Sequence, residues 1–390
     1  MFYIHRLLVV VALCFRIQAC TTDEDCSLNG LCLPSQSIDA TTPPATTTSR
    51  QCHCDPGWIG TSCGNLDLRP AKRGMGYNHT GSNVNTTGDP QYKQWGNSSW
   101  GGNIVRDKED GELYHLIYDQ FAHGCGLSGW RPNSFIARGE SRTGVEGPYI
   151  FKERITGSFR HNAYVYWSEA EQKYLLWSIG VDVPDATKCG GINKKDWPNN
   201  ISVSSAPTIR GPWSPFTVLL NGTNPAPFSP SNQNTTAVLM DEDQNIFTAP
   251  SHLGPYTLLS KAPWNTTDFS PTWAEDPFLY RDYRGYFHVL AHWMIDLSLE
   301  PSRKYPRVGA HMFSRKLEGP WMFRPEYGPA FTSEVKFEDG SVETFGRRER
   351  PKVFFVGGEG RMGGAVLVTG VQKIGKGGGS FTLVQGIGGG

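Results

Sequence analysis

An apolar run, a polar turn and a second apolar run recur five times along the chain. The copies are Asn103–Asp107 before Leu113–Tyr118, Ala163–Trp167 before Lys173–Trp177, Ala237–Met240 before Asn245–Thr248, Phe278–Tyr280 before Gly285–Leu290, and Lys352–Phe355 before Gly364–Val368. Runs this short, rich in Val, Ile, Leu and aromatic residues and broken by turn formers, predict antiparallel strands. Three copies carry a Gly-Pro-aromatic turn downstream: Gly147-Pro148-Tyr149, Gly211-Pro212-Trp213 and Gly319-Pro320-Trp321. Five such units in series imply radial repetition, which protects sheet edges without closing a single barrel. The expected fold is all-β: a five-bladed β-propeller over residues 95–390, with a β-sandwich carrying long insertions as the alternative.

The first 19 residues follow a different pattern. Leu7–Phe15 is an unbroken apolar run behind a basic end, and Arg16-Ile17-Gln18-Ala19 leads to a small residue. The run is too short for a bilayer, which needs about 20 residues. It predicts a signal peptide over residues 1–19, the alternative being a buried strand or an uncleaved anchor. No later stretch could span a membrane, and the Gly-rich C-terminus lacks a lipid-anchor tail. The expectation is a secreted, extracellular protein without membrane attachment. Seven Asn-x-Ser/Thr sequons fit that compartment, at Asn78, Asn85, Asn97, Asn200, Asn221, Asn234 and Asn265. All except Asn234 are expected to carry glycans. Lys+Arg and Asp+Glu are both 37, so no global field would hold nucleic acid or an anionic membrane.

Cysteines mark a second, smaller unit. Cys14 falls in the signal segment, while Cys20, Cys26, Cys32, Cys52, Cys54 and Cys63 crowd into residues 20–64. So short a segment cannot bury enough apolar surface unaided, so disulfides are expected, with 15 possible pairings. The stretch Cys52-His53-Cys54-Asp55-Pro56-Gly57-Trp58-Ile59-Gly60-Thr61-Ser62-Cys63 resembles the end of an epidermal-growth-factor-like (EGF-like) module. That resemblance implies the pairs Cys20–Cys32, Cys26–Cys52 and Cys54–Cys63. The acidic cluster Asp23-Glu24-Asp25 follows the first cysteine, whereas calcium-binding members place theirs before it, so no Ca²⁺ is expected there. The Thr/Pro stretch 40–49 cannot pack and reads as a loop open to O-glycosylation. Such modules serve as spacers or protein-contact units, and the spacer is the plainer reading. Residues 65–94 read as a linker. Cys125 and Cys189 are expected to pair within the propeller, without a metal or thiol role.

The segments Trp273-Ala274-Glu275-Asp276-Pro277-Phe278-Leu279-Tyr280 and Arg348-Glu349-Arg350-Pro351-Lys352-Val353-Phe354-Phe355, within the five-unit pattern, resemble the propellers of glycoside hydrolase family 43 and related secreted propellers. The resemblance covers residues 95–387. It implies that each blade's first strand lines a central funnel. Aligned on Pro277 and Pro351, the residues at the mouth are Trp100/Gly101, His161/Asn162, Asn234/Thr235, Glu275/Asp276 and Glu349/Arg350. A glycan on Asn234 would then block the funnel, which is why that sequon is set aside.

Glycoside hydrolysis needs an acid to protonate the leaving oxygen and a carboxylate to activate water or attack carbon. Glu275 matches the family's general acid. The family's Asp residues of the first and third blades meet Gly101 and Thr235 here, so Asp119 and Glu349 become the substitute catalytic carboxylates. Asp119 aligns with His292 on the second strands. His161, Asn162, Asp276, His292, Arg348, Arg350 and Trp100 are candidate substrate contacts, each with a structural alternative. His161 could be a core histidine, Trp100 (like Trp130, Trp273 and Trp293) a blade filler, and Arg348 and Arg350 either a uronate or sulfate clamp or a blade-to-blade salt bridge. No cofactor is expected, although a structural cation beside His292 stays open. Two functions follow: a secreted glycoside hydrolase-like protein acting on a cell-wall or extracellular polysaccharide, or a non-catalytic glycan-binding or adhesion protein. Either has a glycan as partner, with protein contact through the small module.

Overall fold

The computed structural model describes residues 19–34, 49–77, 98–183, 189, 198–230, 233–261, 273–294, 308–358, 360–374 and 379–388. Residues 1–18 of the expected signal peptide, residues 40–48 of the Thr/Pro stretch and the sequons at Asn78, Asn85, Asn97 and Asn265 lie outside the described residues.

The N-terminal unit holds two hairpins, β1 (Gly30–Pro34) with β2 (Arg50–Cys54) and β3 (Trp58–Ile59) with β4 (Asn65–Leu66). Five four-stranded antiparallel sheets follow. Blade I comprises β5 (Ser99–Arg106), β6 (Tyr114–Phe121), β7 (Ser134–Ser141) and β8 (Ile150–Arg154). Blade II comprises β9 (Ser158–Ser168), β10 (Lys173–Val183), β11 (Ile201–Ala206) and β12 (Thr217–Leu220). Blade III comprises β13 (Ala226–Phe228), β14 (Ala237–Met240), β15 (Ile246–Ala249) and β16 (Thr257–Ser260). Blade IV comprises β17 (Trp273–Arg281), β18 (Phe287–Met294), β19 (Val308–Ser314) and β20 (Met322–Phe323), and blade V β21 (Glu334–Lys336), β22 (Val342–Phe354), β23 (Val366–Lys373) and β24 (Ser380–Gly386). The chain is thus a five-bladed propeller with a small disulfide-rich N-terminal unit. Strands β5, β9, β13, β17 and β22 surround the axis.

The ring closes through hydrogen bonds between blades V and I. Ser380 Oγ donates to the Ser99 carbonyl (2.8 Å) and Thr382 Oγ1 to the Gly101 carbonyl (2.7 Å). Residues 65–77, within the stretch expected as a linker, run along this seam. Leu68 and Tyr77 bridge to Ile387 and Thr382 beside β24. Gly-Pro-aromatic turns join third and fourth strands in four blades, Gly254-Pro255-Tyr256 being the copy not singled out above. Gly147, Gly211, Gly254 and Gly319 adopt φ of 101°, 95°, 89° and 96°, which a side chain would strain.

Blade III corrects the sequence reading. Ala237–Met240 is its second strand, and the innermost strand is the three-residue Ala-Pro-Phe of β13. A strand this short, with a proline at its centre, gives no apolar signal of its own. Because Phe228 pairs with Val238 and Ala226 with Met240, Asn234 and Thr235 lie in the β13–β14 loop, at the end of the blade away from Asn224. Asn234 is exposed there, so a glycan on it would not obstruct the mouth.

Disulfides join Cys20 to Cys32, Cys26 to Cys52, Cys54 to Cys63 and Cys125 to Cys189. The N-terminal unit does not hang free as a spacer would. Trp58 and Leu66 share one apolar cluster with Phe278, Leu290, Phe331 and Met362 of blades IV and V. Asp55 pairs with Arg284 at 2.6 Å, Glu24 pairs with Arg315, and Asn65 Nδ2 donates to the Pro329 carbonyl at 2.7 Å.

Candidate active site

Four inner strands carry a register shift near the mouth: between Trp100 and Asn103 in β5, opposite Trp177 and Ile179 in β9, between Glu275 and Phe278 in β17, and between Glu349 and Lys352 in β22. A bulge bends the strand and re-aims its side chains. At or beside each, one residue takes a left-handed backbone: Gly101 (φ 59°), Asn162 (58°), Asp276 (57°) and Arg350 (58°), with Asn224 (52°) just before β13. Gly adopts this conformation freely and Asn or Asp tolerates it, whereas Arg accepts a cost of about 1–2 kcal/mol. Asn224, rather than Thr235, is therefore the third-blade equivalent, and it too is no carboxylate.

These residues build a buried polar layer. Asn162 Nδ2 donates to Asn224 Oδ1 (2.6 Å) and Asp276 Oδ1 (3.3 Å). Arg350 Nη1 donates to Asp119 Oδ2 (2.7 Å), and its Nη2 to His161 Nε2 (2.9 Å). A guanidinium only donates, so His161 Nε2 accepts and Nδ1 carries the proton, which it gives to Ser134 Oγ (2.6 Å). Burial, then the charges of Arg350 and Arg131, holds His161 well below its usual range and keeps it neutral. Asp119 also accepts from the backbone N–H of Asn162 (2.8 Å). Burial raises its carboxyl to about 6, against the opposing pull of Arg350.

A second carboxylate group lies beside this layer. His292 faces Glu275 across the β17–β18 pair. Its ring nitrogens lie 3.3 Å from Glu275 Oε1, 3.9 Å from Asp276 Oδ2 and 3.8 Å from Glu349 Oε1, all without hydrogen-bond geometry. Glu275, Asp276, His292 and Glu349 each offer a ligand atom within 4.8 Å of the others, a donor set able to hold a hard cation.

Glu242, in the turn after β14, escaped the sequence reading. Its carboxyl accepts from Asn224 Nδ2 (2.9 Å) and hydrogen-bonds the carboxyl of Glu275. Burial, followed by the negative charges of Glu275 and Asp276, pushes it up to about 8, so Glu242 keeps its proton at neutral pH. The signal that could have found it is Asn224-Pro225, which repeats the X-Pro step of Asp276-Pro277 and Arg350-Pro351. Lys352 was also missed. It is buried on β22 with Nζ 3.3 Å from the Pro277 carbonyl, and burial lowers it to about 8.

Other expected contacts lie elsewhere. Trp100 is buried against Phe121, Cys125 and Leu127, so its ring does not face the mouth. Arg348 is fully buried within blade V, donating to Gln385 Oε1 (2.6 Å) and the Thr332 carbonyl (3.0 Å). Arg348 and Arg350 thus do not form a joint anion clamp. Trp130 stacks on His161 at 4.5 Å, Trp293 packs edge-on against Phe323, and the side chain of Trp273 lies outside the described residues.

No family model matches the chain, and no curated protein does. Among solved structures it is similar to the GH43 protein BlXynB of Bacillus licheniformis (12% identity, 74% of this chain, 53% of that one, TM-score 0.46). It is also similar to a thermostable family-43 glycoside hydrolase (11%, 74% and 89%, TM-score 0.49) and to the endo-arabinase of Bacteroides thetaiotaomicron (14%, 74% and 94%, TM-score 0.45). The chain spans about half the length of BlXynB.

Proposed function

We propose that the protein is a secreted glycoside hydrolase-like enzyme acting on an extracellular polysaccharide, with Glu275 as general acid. The observation that carries this reading is the hydrogen-bonded Glu242–Glu275 pair, with the carboxylate of Glu349 within 4.8 Å of Glu275. Glu242 stores a proton beside Glu275 and Glu349 offers a carboxylate, so the mouth holds both an acid and a carboxylate, the two kinds of group glycosidic cleavage requires. In this scheme Glu349 attacks the anomeric carbon while Glu275 protonates the leaving oxygen; Glu275, now a carboxylate, then takes a proton from the water that breaks the glycosyl–Glu349 ester, and the neutral Glu242 beside it limits the negative charge at the mouth. The short separation supports a retaining reaction, which uses carboxyls about 5–5.5 Å apart, over an inverting one at about 6.5–9.5 Å. Asp119, held by Arg350 and two backbone N–H groups, acts as a positioning residue.

The disulfide pairing and the short hairpins of residues 20–66 support an EGF-like identity for the N-terminal unit. Its contacts with blades IV and V support a bracing role. Secretion rests on the leader sequence and the disulfides, and among the described residues no helix is long and apolar enough to cross a membrane. Of the expected glycan sites within the described residues, Asn221 is exposed and Asn200 half-buried.

The test is reducing-sugar release from arabinan, xylan, fructan, galactan and sulfated polysaccharides, with Glu275→Gln in parallel. Release that disappears in the variant supports the assignment. Saturable binding to one polymer without release would replace it with the non-catalytic glycan-binding reading.

A further inference from the structure

At the other end of β17, beyond Tyr280, the N-terminal unit meets the turns of blades IV and V around a cavity of about 210 Å³. Water occupies about 30 Å³ per molecule in the liquid, so the space could take several waters or one sugar ring. Its walls come from both parts of the chain: Asn29, Asp55 and Trp58 from the disulfide-rich unit, and Tyr280, Tyr283 and Arg361 from the propeller. The cavity exists because the two are docked.

The lining chemistry is specific. Trp58, Tyr280 and Tyr283 each combine an apolar ring with a polar tip. Charge on the wall is balanced locally. Asp55 and Asp282 are both paired with Arg284, at 2.6 and 3.4 Å, Asp55 also accepts from Tyr283 Oη at 3.2 Å, and the Arg361 guanidinium lies 4.5 Å from the centre of the Tyr283 ring. Neither an anion nor a cation is called for. The Tyr280 hydroxyl is buried without a hydrogen-bond partner, an unmet donor on this wall. A ligand suited to these walls is neutral, ring-sized, apolar on one face and rich in hydroxyl oxygens.

We propose that this junction is a second carbohydrate site, binding one neutral sugar residue between the disulfide-rich unit and the propeller. It does not depend on chemistry at Glu275, which lies five residues back along β17, roughly 16 Å at the rise of a strand. The site would anchor a glycan against the face opposite the mouth.

Saturation-transfer NMR on the full secreted chain tests this, using methyl glycosides of glucose, galactose, mannose, xylose and arabinose, with phenol as an aromatic control. At least one glycoside should bind saturably, with affinity unchanged in Glu275→Gln. Tyr283→Ala and Arg361→Ala, both at exposed side chains, should each weaken it about tenfold. Circular dichroism and melting of the two variants establish that the fold is intact. Absence of saturation by every glycoside overturns the proposal. So does binding that disappears in Glu275→Gln, binding indifferent to both surface variants, or phenol outcompeting the sugars.

Discussion

Replacing Arg350 by Met tests whether the buried polar layer is held together by one guanidinium. Arg350 is 8% exposed and donates to Asp119 and His161 while its Nε lies 3.5 Å from Asp276 Oδ1. Methionine keeps much of the length and removes the charge, leaving Asp119 buried without a cation. Stranding one partner of a buried pair costs about 3–5 kcal/mol, a large share of the roughly 5–15 kcal/mol by which domains are stable. The loss should depend on pH with a defined sign. The folded carboxyl of Asp119 titrates at about 6, above its ordinary value of 3.8, so the folded state binds the proton more tightly and stability falls as pH rises between the two values. In the wild type that fall stops near pH 6. In the variant, without the opposing charge, it continues upward at about 1.4 kcal/mol per pH unit, widening the gap by up to about 2 kcal/mol between pH 6 and 7.5. Urea unfolding with disulfides intact, at pH 5.5 and 7.5, reads the difference directly. Asp119→Asn combined with Arg350→Met should recover most of the loss at pH 7.5. An equal loss at both pH values, or a double variant no more stable than the single one, would refute the reasoning.

Other expectations are more compact. On any polysaccharide that is cleaved, activity should fall as pH rises through about 8, where Glu242 gives up its proton and adds a negative charge beside Glu275. Glu242→Gln should displace that limb and lower kcat by about 10²–10⁴-fold; an unmoved limb would remove Glu242 from the mechanism. Removing the Cys125–Cys189 bridge, with its sequence separation of 64, should cost about 4 kcal/mol in urea unfolding by loop-closure entropy, and a change below about 1 kcal/mol would show that the denatured chain gains nothing from release. Gly370→Ala should cost about 1–3 kcal/mol, because its Cβ would stand 2.6 Å from the Trp100 ring; an unchanged melting temperature would mean that the ring moves freely. Proton NMR of the first-formed anomer should show retention, and an inverted product would exclude Glu349 as nucleophile.

Much of the architecture was legible because the second strands of the blades are strongly apolar, as in Leu116-Ile117-Tyr118, Leu175-Leu176-Trp177 and Val366-Leu367-Val368. Pro277 and Pro351 then fixed the inner-strand alignment in two blades. Blade III was misread because Ala226-Pro227-Phe228 is too short to compete with the Ala-Val-Leu-Met run that follows it. That slip hid Asn224, and with it Glu242, which read as part of an ordinary polar turn, Asp241-Glu242-Asp243. Arg348 and Arg350 were misread for another reason. Residues two apart on a regular strand share a face, so both seemed able to grip one anion. The bulge between Glu349 and Lys352 breaks that alternation, sending Arg348 into blade V and Arg350 toward the axis. A left-handed residue in mid-strand cannot be read from apolar period alone. The docking of the N-terminal unit was equally hidden, since Asp55–Arg284 and Glu24–Arg315 join residues more than 200 positions apart.

The left-handed turn recurs in five blades while the side chain it aims changes from nothing at Gly101 to amide, carboxylate and guanidinium. The fold thus fixes where chemistry is delivered and leaves open which chemistry it is. Here the delivery leaves an imbalance: Asp119 and Asp276 face Arg350, Glu349 is paired with Arg347 at 3.4 Å, and Glu242 lies beside Glu275 and Asp276, with Lys352 near Asp276 and His161 neutral. Like charges this close cannot all ionise, so at least one proton must be retained, and Glu242 and Asp276 are both raised by burial and by their acidic neighbours. Sugar hydroxyls or a cation offset the desolvation of a buried carboxyl where it is ionised, but neither calls for one that keeps its proton. A stored proton beside an ionisable carboxylate is instead the condition for protonating a glycosidic oxygen, which favours cleavage over binding as the use of this mouth.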